Sequence, residues 1–232
     1  MLKNAAIATF LLSSTALATT LPAHALTLAR YTFEGDVTTG TSDDPTVTVS
    51  SFNSSGLGTA TYVEGNPGRA RNFNGWETTP TVNLTKYVTF EIAPNTGRSM
   101  NFNTLSFDGR RSPTGSQLVQ VRSSRDNYAA VLATFSLPVS DVFYPLSLAF
   151  TGTDFQNLTT SVSFRIYGYN ATAGAGTLRF DNVVLDGTTQ AATPVPFGFT
   201  PIWGIAANGV VFGLRKLRNK QMRSGSQSSV KA

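Results

Sequence analysis

YVTFEIA at Tyr87–Ala93 and VSFRIYGY at Val162–Tyr169 carry the reading of the fold. In the first, Val88, Phe90 and Ile92 fall on one face, with Thr89 and Glu91 on the other. In the second, Val162, Phe164 and Ile166 alternate with Ser163 and Arg165. A period of two, built from β-branched and aromatic residues, belongs to a strand with one buried face. The pattern recurs in NTLSFDG through Leu105 and Phe107, and in QLVQVRS through Val119 and Val121. EGNPG, SPTG, TAGAG and FDG supply the Gly or Pro that tight reversals need. No convincing amphipathic helix interrupts them. The expectation is all-β: an antiparallel, jelly-roll-like β-sandwich of about ten strands.

TLRFDNVVLDG, Thr177–Gly187, breaks the alternation. Leu178 and Phe180 share one phase, and Val183 and Leu185 the opposite one. The slip falls at Asp181 and Asn182. A bulge re-aims side chains in this way; an irregular strand end is the alternative.

Both ends of the chain carry signals of another kind. Lys3, the apolar run AAIATFLLSSTALA and the small-residue pattern AHA at Ala23–Ala25 read as a secretory signal peptide over 1–25. Signal peptidase is the implied partner. The expected division continues with the sandwich over 26–188, a linker over 189–195, a sorting and membrane segment over 196–223 and a disordered tail over 224–232. Pro201–Leu214 is 14 largely apolar residues, about 21 Å as a helix. That is short of a hydrocarbon core of about 30 Å, so Val195, Phe197 and Phe199 extend it and Arg215 and Lys216 snorkel. Thr200 and Pro201 suit the start of this single membrane-spanning helix. Arg215, Lys216, Arg218, Lys220 and Arg223 form a stop-transfer cluster that places the sandwich outside.

The formal net charge of +5 is therefore an average of unlike parts. Between Leu26 and Gly187 there are 11 Lys or Arg and all 13 acids, so the net charge there is 11 − 13 = −2. A nucleic-acid partner needs basic residues gathered on the folded domain, and none is expected. There is no cysteine, and the only histidine, His24, lies in the signal peptide. Thiol and imidazole catalysis, and zinc held by His or Cys, are excluded for the processed chain.

RRSPTGSQLVQVRSSRDNY followed by FRIYGYNATAGAGTLRFDNVVLDG resembles the β-sandwich ectodomain of secreted PEP-CTERM proteins. The likeness rests on an Arg-Ser…Gly segment, an Arg-x-Ser-x-Asp segment and a closing Asp-Asn-Val strand. The tail PVPFGFTP, with Pro194, Pro196, Phe197 and Pro201, resembles the Pro-Phe variant of the family's sorting signal. Gly198 departs from it, standing where that variant usually carries an acid. The resemblance implies an exosortase-type processing enzyme as partner and a cell-surface address; a permanent single-pass anchor is the alternative. YTFEGD and FDNVVL also resemble the first and last strands of jelly-roll carbohydrate-binding modules.

Two classes of function follow. The first is a non-catalytic surface protein associated with extracellular polysaccharide through Trp76, Tyr128, Tyr167 and Tyr169. A lone Trp in a sandwich is more often core than platform, and Tyr167 and Tyr169 share the face opposite Phe164. The second is a carbohydrate-active enzyme with two carboxylates, drawn from Glu34, Glu64, Glu77, Glu91, Asp108 and Asp181, among which no spacing selects a pair. The absence of histidine favours the first class. Structural calcium is a further expectation: jelly-roll modules commonly hold it where first and last strands meet, and Glu34 and Asp36 with Asp181 and Asn182 offer oxygens there. The alternative is that these side chains are solvated or cap backbone amides.

Overall fold

The computed structural model describes residues 25–192. Twelve strands follow in chain order: β1 (Leu26–Tyr31), β2 (Val47–Val49), β3 (Asn53–Ser55), β4 (Thr61–Glu64), β5 (Arg69–Phe73), β6 (Tyr87–Pro94), β7 (Arg98–Arg111), β8 (Leu118–Ser123), β9 (Ala133–Ser136), β10 (Tyr144–Ala149), β11 (Val162–Tyr169) and β12 (Leu178–Ala191). They form two six-stranded sheets. The first runs β10-β7-β12-β5-β4, with β1 also on β12; the second runs β2-β6-β11-β8-β9, with β3 also on β6. Neighbouring strands pair antiparallel throughout. The all-β sandwich is as expected, with two more strands than anticipated because β2 and β3 are only three residues long.

The period-two side chains meet between the sheets. Val88, Phe90, Ile92, Val162, Phe164 and Ile166 come from the second sheet, and Phe102, Leu105, Phe107, Leu178 and Phe180 from the first; all are buried. Phenylalanine rings pack across and within the layers: Phe102 and Phe164 meet between the sheets at 5.8 Å, while Phe90 and Phe164 (5.4 Å) and Phe107 and Phe180 (5.8 Å) are neighbours in one sheet. Each such pair contributes about 0.5–1.5 kcal/mol beyond its area. The domain has no cysteine, and this core is what holds it.

One local reading is corrected, and a second glycine sits in a strand for a related reason. FDG is not a reversal: Phe107, Asp108 and Gly109 run through the middle of β7. Gly109 faces the core, where an added Cβ would lie 3.1 Å from Leu146. Likewise Gly168 lies within β11 and does not end it. Its missing side chain leaves room for Trp76, whose indole would be 2.9 Å from a Cβ there.

The phase slip in β12 is a bulge. Asp181 pairs with Asp108 and Val184 with Ser106, so three steps on β12 answer two on β7. Asn182 absorbs the surplus with φ 47°, a left-handed conformation that asparagine tolerates better than most residues. The bulge also marks a change of neighbour. Leu178–Phe180 pair with β5, whereas Val183–Gly187 pair with β1. Strand β12 continues to Ala191, so Thr189–Ala191, expected as linker, belong to the sheet.

Candidate functional site

Where β12 changes neighbours, two ends meet. A 3-10 turn at Glu34–Asp36 follows β1, and the turn Gly65–Gly68 joins β4 to β5. FEGD and FDN each hydrogen-bond to this β4–β5 segment, which splices them. One Asp181 carboxylate oxygen accepts from the Asn66 amide (2.6 Å) and the other from the Asn182 amide (2.7 Å). Asn182 Nδ2 donates to the Asn66 carbonyl (2.7 Å) and to Asp108 Oδ2 (2.9 Å). Glu34 Oε1 accepts from the Arg69 amide (2.9 Å), and Asp36 pairs with the Arg69 guanidinium (2.7 Å).

Calcium takes six to eight oxygens. Here the carboxylates expected to converge are turned onto backbone amides and Arg69. Among the described residues no group of three or more acidic, His or Cys side chains is placed to hold a metal ion. The residues do not fit the expected ion. Burial, reinforced by Asp108 and Glu34, pushes the Asp181 carboxyl above the ordinary range, against the two amides that favour its charge.

Four of the candidate carboxylates, Asp108, Asp181, Glu77 and Glu91, accept hydrogen bonds from the protein's own donors. Asp108 and Asp181 are register partners, but Asp181 is fully buried and both its oxygens are occupied. Glu77 accepts from Asn83 (3.0 Å) and from the Thr78 and Thr79 amides. The Asn83 amide, then the backbone and Lys86, hold it down at about 2, opposite to what a general acid needs. Glu91 accepts from Ser163 Oγ (2.8 Å). A groove of about 290 Å³ on the outer face of β10-β7-β12 is lined by Asp108, Asn182, Ser106, Ser147, Pro145 and Val184, with one unhidden carboxylate.

The aromatic candidates divide. Trp76 is not a platform: it is 1% exposed, its Nε1 donates to the Phe73 carbonyl (2.9 Å), and Phe73 and Phe180 pack against it. Tyr167 and Tyr169 do lie on the outer side of β11, but they are 0% and 7% exposed, which corrects the expectation that they stand open. Tyr87 packs edge-on against Tyr167 at 5.7 Å. Tyr128 remains half-buried and joins a cluster that the sequence did not disclose.

That cluster sits on the outer face of β6-β11-β8. The Arg165 guanidinium carbon is 4.1 Å from the Tyr87 ring centre and 3.7 Å from that of Tyr128. Strand β6 brings Tyr87 from one flank of β11, and the turn after β8 brings Tyr128 from the other. Arg122, opposite Arg165 in register, donates from Nε to Gln120 Oε1 (2.8 Å) and from one terminal nitrogen to the Tyr128 and Ala129 carbonyls (2.9 Å each). Those bonds hold Tyr128 in a left-handed conformation, φ 61°, which costs a bulky residue about 1–3 kcal/mol. Asp126 supports the turn by accepting from the Ala130 amide (2.6 Å). The Tyr167 hydroxyl is buried here without a hydrogen-bond partner, and burial raises its phenol above the usual value.

The segments that carry the family resemblance thus shape two strand ends and a bulge. Arg-x-Ser-x-Asp is the turn that aims Tyr128, and Asp-Asn-Val is the bulge. In Arg-Ser…Gly, the Arg111 guanidinium is buried against the carbonyls of Leu137, Pro138, Ser112 and Pro113. Its neighbour Arg110 forms an ion pair with Asp141 (3.4 Å). Tyr87 was missed because its side-chain phase places it outward but not beside Arg165.

Pro194, Pro196, Phe197 and Pro201, and the cluster Arg215, Lys216, Arg218, Lys220 and Arg223, lie outside the described residues. So do residues 1–24 of the expected signal peptide. Among the described residues no helix is long and apolar enough to cross a membrane.

No family model and no curated protein matches the chain. Solved structures do. A carbohydrate-binding module specific for non-crystalline cellulose aligns at 15% identity, over 59% of this chain and 88% of its own, with a TM-score of 0.40. A family 29 carbohydrate-binding module variant complexed with mannohexaose aligns at 16%, over 72% and 93%, TM-score 0.38. The cleaved adhesin domain of Lys-gingipain from Porphyromonas gingivalis aligns at 12%, over 70% and 99%, TM-score 0.39. At this level the likeness carries no argument about ligand or chemistry.

Proposed function

We propose that the chain is a non-catalytic extracellular protein that associates with polysaccharide through the outer face of β6-β11-β8. The observation that carries this is the Tyr87–Arg165–Tyr128 stack with Gln120 and Arg122 beside it. Sugar rings offer C–H faces to aromatic edges and faces, and hydroxyls to polar groups of fixed direction, a pairing that suits this composition. The strained Tyr128 turn, sustained by Arg122, is a feature of the kind that concentrates at binding sites. On the same reading the splice at Asp181 works through hydrogen bonds without an ion, and no carboxylate pair acts as catalyst.

Delivery belongs to the ends. The signal peptide exports the chain, an exosortase-type enzyme acts at the Pro196–Phe197 region, and the apolar segment with its basic cluster retains the chain until then. A reporter fused to residues 190–232 tests delivery. It should stay at the membrane of a host that lacks the processing enzyme and be released when the enzyme is supplied; free secretion in both hosts would refute it. For binding, the full chain on a glycan array should retain at least one polysaccharide class and lose it on Tyr128→Ala. Turnover of chromogenic glycosides would instead favour the enzyme reading.

A further inference from the structure

We infer that the polysaccharide held by this face is acidic, carrying uronate carboxylates or sulfate groups; this rests on the binding reading above. Arg122 and Arg165 are direct cross-strand partners of β8 and β11. Side chains so placed are about 5 Å apart at Cβ, and like charges there repel. An acid between them would relieve this, and the domain has 13 acids to 11 cations. Yet the four ion pairs among the described residues lie elsewhere, at Arg30–Asp43, Arg69–Asp36, Lys86–Glu77 and Arg110–Asp141. Glu91, the acid on the outward phase of β6, is bonded to Ser163, and Asp126 to its own turn.

Arg165 is the less engaged of the two. Tyr87 and Tyr128 engage its guanidinium through the ring faces. Its five N–H donors lie in its own plane, and beyond an approach to the Tyr167 hydroxyl none meets an acceptor in good geometry among the described residues, whereas Arg122 uses Nε and one terminal nitrogen on Gln120 and two carbonyls. A planar fork with fixed orientation matches a carboxylate or a sulfate through paired hydrogen bonds. The Tyr167 hydroxyl is buried beneath the pair, with Arg165 and Arg122 as its charged neighbours, and brings no negative charge to either. Nucleic acid is disfavoured as the anion, since the domain is net negative and the positive charge here is a single pair.

The test is retention of the full chain, in detergent, on immobilised polygalacturonate, dextran sulfate and uncharged dextran and mannan. Because the basic tail would itself bind polyanions, every arm uses a chain with Arg215, Lys216, Arg218, Lys220 and Arg223 changed to Gln. Expected is retention on polygalacturonate or dextran sulfate, whichever group the fork prefers, weakening with added salt and falling at least ten-fold on Arg165→Gln. Arg165→Lys should keep part of it, which separates loss of charge from loss of fold. Retention on neutral glycans alone, sensitive to Tyr128→Ala, would overturn the acidic ligand and leave the binding reading intact. Acidic retention indifferent to Arg165→Gln would also overturn it. No retention on any glycan would remove both.

Discussion

Asp181 carries three tasks in one buried side chain: it caps two amides, anchors the bulge and faces two other acids. Its folded pKa is raised, so the protonated form is favoured in the fold. The stability linked to this proton is fully present below the unfolded value and is lost as pH rises through the folded one. Asp181→Ala would leave the Asn66 and Asn182 amides without acceptors, at about 1–3 kcal/mol each, which urea unfolding would show. Calcium and chelator should leave the melting temperature of the full chain unchanged; a calcium-dependent rise lost in Asp181→Ala would restore the ion. Glu77 behaves oppositely. Its folded pKa is near 2, so its contribution is present above the unfolded carboxyl value and disappears as pH falls through about 2. Asn83→Ala should move its titration, followed by NMR, back toward the ordinary range.

Strand β12 carries one surplus residue. Deleting Asn182 would leave two steps on β12 against two on β7 and set Leu178, Phe180, Val183 and Leu185 in one unbroken alternation. The core contacts would then survive while the Asn182 hydrogen bonds to Asn66 and Asp108 are lost, so the deletion should lower the melting temperature and keep the transition cooperative. Gly168 in β11 answers to a different constraint. Gly168→Ala would press a methyl into the Trp76 indole, costing about 1–3 kcal/mol by overpacking, with a change in tryptophan fluorescence as the accompanying sign. The bulge could be seen in the sequence because the phase slip is local. The role of Gly168 could not, since Trp76 is 92 positions away in the chain.

The sandwich contains its own core. A fragment of residues 25–192 should therefore fold alone, with a β-type circular dichroism spectrum and a single cooperative transition; dominant helix or a gradual melt would contradict this. Its charge should also invert relative to the full chain. With 11 cations and 13 acids against a formal +5 for the whole, it should bind an anion exchanger near pH 7 where the full chain prefers a cation exchanger.

Alternation alone determined which residues of YVTFEIA and VSFRIYGY face the core, and composition alone separated a weakly acidic domain from basic ends. FEGD and FDN could be expected to meet, and in the fold each hydrogen-bonds to the β4–β5 segment. The pairing of Arg122 with Arg165, the approach of Tyr87 and Tyr128 to one guanidinium, and the burial of Trp76 and Tyr167 were decided by the tertiary structure. The reason is physical. Side-chain phase states inside or outside within one strand, and it is unchanged when a neighbour slides by two residues or is exchanged for another strand. Only the assembled sheets choose the neighbour, and with it whether an outward tyrosine is covered and whether a polar end such as Glu34 finds an ion or an amide.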